Sequence, residues 1–162
     1  MKIKLEKDLE LSGDKASIYV ISKNNEADSL LDLFYQENES LFINELNAIG
    51  KRLFEIGNKY GAREQFFRIN EGKPGDGVCA LYDEEESNLR LYCIRYGSLL
   101  VIVGGGGPKS KDIKAFQEDT KLTYENKILR ELSKEISIRT KGGDIKFIND
   151  GMDFDGDLEF EF

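Results

Sequence analysis

The chain has 162 residues, 40% hydrophobic and 33% charged, with a formal net charge of −8, a balance that fits one globular α+β domain over 1–162 with a real core. No apolar run approaches the roughly 20 residues of a membrane-spanning helix, and the opening MKIKLEKDLELSGDK lacks the apolar core of a secretory signal, so a cytoplasmic protein away from membranes is expected. Histidine is absent and only Cys79 and Cys93 supply thiols, which excludes imidazole acid–base chemistry and argues against a zinc site.

Residues 2–7 alternate apolar and charged side chains and predict a strand. The β-branched run SIYVIS at 17–22 predicts a second. Asn24 and Asn25 then offer capping chemistry, with Glu26 and Asp28 in the favourable first turn. The pattern over 27–60 is helical, in two segments broken near 36–39. Phe42, Leu46, Ile49, Leu53, Ile56 and Tyr60 step by four, three, four, three and four, drawing one apolar stripe that Gly61 ends.

A β region follows, with strands expected at 65–69 and 78–82 around the loop EGKPGDG. A charged connection, 83–88, leads to a hairpin of strands 89–95 and 98–103 across Tyr96-Gly97. SLLVIV shows no polar side after its first residue, so it belongs mid-sheet with both faces covered. The two cysteines fall in predicted strands and read as buried, reduced thiols. After the glycines, 112–118 reads as helical, and Leu122, Leu129, Leu132 and Ile136 mark a helix ending near Ile138. Residues 144–148 and 154–162 suggest a terminal hairpin. The predicted fold is therefore α+β: N-terminal strands and a helical pair packed on an antiparallel sheet, with a C-terminal helix and a terminal β-hairpin.

The segment GGGGPKSK places four glycines and two lysines between the apolar strand and the next helix. Exposed backbone amides beside Lys109, Lys111 and Lys114 would make a bend suited to an anion. It is no standard nucleotide loop: Pro108 stands where a Walker A motif needs glycine, and a dinucleotide fingerprint would need glycine at Lys109. No cofactor and no metal is expected. Arg90, mid-strand between Leu89 and Leu91, needs an anionic partner, either an internal carboxylate or a ligand.

The last thirteen residues carry six acids and no base, which leaves −2 for the remainder and room for a basic patch elsewhere. Phe154, Leu158, Phe160 and Phe162 share one face of the tail. Asp153, Asp155 and Asp157 alternate, but Gly156 is at the wrong offset for a calcium loop. The acidic face reads as a solvated strand or as an anionic cover for a basic surface.

The order strand, helical pair, antiparallel sheet bearing LRLYCIR and LLVIVGGGGPKSK, then helix resembles the RelE/ParE/HigB superfamily of bacterial toxins. IGKRLFEIGNKYG and VCALYD add to a likeness with the HigB-like branch. The toxin-like core covers about 27–138, and the acidic β tail, 144–162, lies outside it. The resemblance implies the toxin component of a toxin–antitoxin system, an endoribonuclease (mRNA interferase) that binds RNA at the ribosome and is held by an antitoxin protein. It implies Arg90, Lys109 and Lys111 as the catalytic, phosphate-facing residues; from the cluster of glycines and cations, Gly105, Gly106, Gly107, Arg95 and Lys114 are expected to bind substrate. Where such nucleases place Tyr, His or Asp, this chain has Phe116, with Tyr92, Tyr96, Tyr124 and Asp112 as substitutes. The alternative is a non-catalytic relative acting as a protein-interaction module, and a third reading is a small-anion sensor built on the glycines.

Overall fold

The computed structural model describes residues 1–69, 71–81, 86–109 and 120–162. The chain opens with β1 (Lys2–Lys7) and β2 (Ser17–Lys23), paired antiparallel. Helix α1 (Leu30–Glu55) starts at Ser29 rather than at the asparagines: Ser29 and Asp32 form a reciprocal capping box. Asn24 and Asn25 instead take φ +53° and +59° in the turn after β2. The predicted break at 36–39 is displaced to Phe42, whose φ of −131° leaves the helical region. Residues 36–39 stay helical, and the buried Asn38 side-chain amide donates to the Phe34 carbonyl one turn back, at 2.8 Å. A π-helical turn, Ile56–Tyr60, extends α1, and Gly61 at φ +78° ends it.

Instead of a strand over 65–69 the chain makes a 3₁₀ turn, Glu64–Phe66, and a two-residue strand β3 (Phe67–Arg68). Next come β4 (Val78–Leu81), β5 (Leu89–Tyr96) and β6 (Leu100–Pro108). Helix α2 (Thr120–Gly142) precedes β7 (Ile145–Ile148), β8 (Asp153–Gly156) and β9 (Glu159–Glu161). The fold is α+β. Its sheet runs β3-β4-β5-β6-β2-β1-β9, mostly antiparallel, with β2 and β6 parallel.

Both faces of the sheet are buried at its centre. Val101 and Val103 of β6 join the core under α1 with Phe34, Leu46 and Leu53, whereas Leu100 and Ile102 join the core under α2 with Leu129 and Leu132. That arrangement explains why SLLVIV carries no polar side. The terminal hairpin forms between β7 and β8, and the tail then divides. Gly156 turns at φ +125°, and β9 pairs with β1, setting Glu159 opposite Lys4 and Glu161 opposite Lys2. Phe154 and Phe160 are buried in the α2-side core. Among the described residues, no helix is long and apolar enough to cross a membrane.

Candidate functional site

β5 and β6 pair from Tyr96 opposite Leu100 to Leu89 opposite Pro108, joined by three residues rather than two, with Gly97 at φ +59°. The register slips midway: Leu91 faces Gly106 but Cys93 faces Val103. β6 therefore carries one extra residue at Gly104-Gly105, a β-bulge that turns both glycines toward α2. A Cβ on Gly104 would stand 2.8 Å from Leu129 Cδ2, and one on Gly105 would overlap the Glu125 carboxylate. A Cβ on Gly106 would overlap the Arg90 carbonyl, and one on Gly107 would lie 3.3 Å from Lys121 Cγ. The glycine run is thus buried strand rather than the open bend expected from sequence. Gly105, Gly106 and Gly107 lack side chains so that α2 and the neighbouring backbone can close on them.

Arg90 stands opposite Gly107, half-buried. Its flanking Leu89 and Leu91 point into the α1-side core, so strand alternation turns Arg90 to the α2 side. Lys109 extends the ladder: its amide donates to the Asn88 carbonyl at 2.7 Å and its Nζ to Ser87 Oγ at 2.9 Å. Arg90 and Lys109 therefore share one end of the hairpin. Arg95 does not join them. It sits at the other end and on the α1 side, its Nε donating to the Ala62 carbonyl at 2.8 Å. Lys111 and Lys114, with Asp112, Phe116 and the helix expected at 112–118, lie outside the described residues. Tyr92 is fully buried, burial pushes the Tyr96 phenol above its ordinary pKa, and Tyr124 is exposed beneath Lys23.

The sequence reading missed an ion-pair cluster next to this end. Glu125, 3% exposed, pairs with Lys121 at 2.8 Å, and Lys121 also reaches Glu37 of α1 at 3.5 Å. Burial opposes the Lys121 charge, but the two carboxylates outweigh it and raise its pKa. The Lys-Glu spacing of four is visible in sequence, yet its burial against glycine is not. Glu45 of α1 accepts from the Asn88 and Leu89 amides at 2.9 and 2.8 Å, fastening the start of β5. Beside it the kink at Phe42 leaves a hollow of about 250 Å³ lined by Leu41, Ile43 and Asn88. A larger groove, about 570 Å³, follows the β1–β9 edge near Glu26 and Arg139, away from Arg90 and Lys109.

A second group of cations gathers where α1 ends. The Arg52 guanidinium lies 4.4 Å from the Phe66 ring centre, and Lys59 and Arg63 lie 5.0 and 5.3 Å from that of Tyr60. Tyr60 and Phe66 are 5.8 Å apart, and Arg95 is tied in through Ala62. The signal was the interleaving of basic and aromatic residues in KRLFEIGNKYGAREQFFR.

Cys79 and Cys93 face each other across β4 and β5, free and buried. Among the described residues, no three His, Cys, Asp or Glu side chains gather to hold a metal ion. No protein-family model, curated protein or solved structure matches the chain.

Proposed function

We propose that the chain is the toxin component of a bacterial toxin–antitoxin system, RelE/HigB-like, a cytoplasmic endoribonuclease that cuts messenger RNA at the ribosome and is neutralised by an antitoxin protein. The observation that carries this reading is the pairing of Arg90 with Gly107, with Lys109 just beyond it on the same ladder. Backbone pairing fixes both cations at one end of the central hairpin; Lys121, which lies against Gly107, is already held by Glu125 and Glu37. In the proposed reaction the RNA's own 2′-hydroxyl attacks the adjacent phosphorus and the bond to the 5′-oxygen breaks. The hydroxyl proton leaves to a base, and the departing oxygen takes one up. Guanidinium and ammonium groups stabilise the phosphate oxygens as they gain charge.

Expression in a bacterial host tests the reading. Growth arrest, with messenger RNA cut within codons, is expected for the parent and is lost with Arg90→Ala. Harmless expression of soluble, folded parent sinks it. A protein-interaction module is the second reading, favoured by Leu41 and Ile43, which stand 80% and 51% exposed around the kink at Phe42. Harmless expression together with a stable complex with a neighbouring gene's product supports it.

A further inference from the structure

The chain carries a net charge of −8, and its described cations commonly find carboxylates: Lys4 pairs with Glu6, Lys7 with Asp153, Lys121 with Glu125 and Arg139 with Asp157. The end of α1 is built differently. Among the described residues, Arg52, Lys59, Arg63 and Arg95 reach no carboxylate; their partners are the Phe66 and Tyr60 rings and the Tyr60 and Ala62 carbonyls. Glu55, Glu64 and Glu71 are the acids between Arg52 and Lys73, Glu71 being paired with Arg68 at 2.9 Å, and the segment packed on Gly57 adds Asp14 and Lys15 at the border. Positive charge is therefore concentrated locally on an acidic protein.

Two further features give the patch a direction. Phe54, 52% exposed, presents a ring to solvent one helical turn from Lys51. On the other side, Arg95 borders a hollow of about 280 Å³ shared with Ile69 and Lys73. Asp76 also lines it, but its carboxylate is engaged by the Lys73 and Val78 amides at 2.7 and 3.0 Å.

We propose that this end of α1, from Phe54 through Lys59, Arg63 and Arg95 to Lys73, is a second RNA-binding surface that tracks a single strand. The cations follow its phosphates and Phe54 stacks one base. A chain of carboxylates alone, such as polyglutamate, would satisfy the charges but offers no ring for Phe54 to stack on, whereas every nucleotide does. The surface is distinct from the Arg90 end: Arg95 lies five residues along β5, about 17 Å at the rise of a strand, and on the opposite face. It rests on the functional reading above only for the identity of the polymer.

The test is fluorescence anisotropy of purified protein with a 12-nucleotide single-stranded uridine RNA, with no ribosome present. The parent is expected to bind, and Lys59→Gln with Arg63→Gln to weaken binding about tenfold while lowering the slope of log K against log salt by about 1.4. Phe54→Ala is expected to weaken binding about tenfold with the slope unchanged. Lys59→Gln with Lys73→Gln serves as a second pair should the first lower the melting temperature. Absent parent binding, variants equal to the parent, or preference for polyglutamate over RNA overturns the proposal. A parent that arrests growth yet fails to bind overturns this inference alone; one that binds yet is harmless overturns the toxin reading alone.

Discussion

Gly105 of β6 lies directly beneath the Glu125 carboxylate of α2, and no side chain fits between them. Glu125 is 3% exposed, and among the described residues its Oε2 has no hydrogen-bond partner. Moving that carboxylate strains the helix–sheet packing or the pair with Lys121. Gly105→Ala is therefore expected to destabilise the fold by about 1–3 kcal/mol. Gly142, in the last turn of α2, has open space: a Cβ there meets its nearest atom, Asp144 Oδ2, at 3.7 Å. Gly142→Ala should be neutral or stabilising by about 0.5 kcal/mol. Denaturant unfolding of both variants decides, and equal midpoints would refute the packing account.

The glycines also mark where sequence reasoning stopped. Strand, stripe and turn were legible because each is local: the apolar steps from Phe42 to Tyr60, the alternation in residues 2–7, and Gly61 at the end of α1. What GGGG means is not local. A run without side chains serves equally for an open loop or for a strand that a helix must approach, and only the position of α2 decides. Arg95 is expected at the site with Arg90, yet the odd separation of the two along β5 puts them on opposite faces. The pairing of Arg90 with Gly107 depends on the bulge, which no pattern in either strand announces.

Ser29 offers a direct check on the start of α1. Its Oγ accepts from the Asp32 amide at 3.0 Å, and Asp32 Oδ2 accepts from the Ser29 amide at 2.9 Å. Ser29→Ala removes the first bond and leaves a helical N–H without its partner at a site 6% exposed. A loss of about 1 kcal/mol is expected, whereas Asn25→Ala, outside the helix, leaves the cap untouched. A thermal melt of Ser29→Ala coinciding with the parent's would rule out the cap.

Asp153 predicts a pH dependence. Burial alone would raise its pKa, but hydrogen bonds from Lys7, Asn149 and Ser17, with the Lys7 charge 2.9 Å away, lower it below the ordinary value of 3.8. A carboxyl with a depressed folded pKa stabilises the protein above its unfolded pKa, and that contribution is lost as pH falls through the folded value. Asp153→Asn is expected to cost about 1–2 kcal/mol at pH 7 and progressively less on acidification below about pH 4. The comparison is between unfolding free energies of parent and variant at pH 7 and pH 2.5. A difference that stays constant would mean the charge of Asp153 plays no part.

The two thiols complete the account of the β4–β5 edge. Cys79 and Cys93 are opposed residues, 2% and 0% exposed. Burial pushes Cys79 up to about 12, despite the nearby Arg95 charge, and holds Cys93 well above its ordinary value. Since the thiolate is the reactive form, neither should alkylate in the native state at pH 8, and both should react once the chain is unfolded. The slow native rate then reports opening of the edge strands, and Cys79, which borders the hollow beside Arg95, should precede Cys93. Iodoacetamide labelling followed by mass spectrometry tests this order. Rapid native modification of Cys93 would mean that the strand pairing around it is not the stable state in solution.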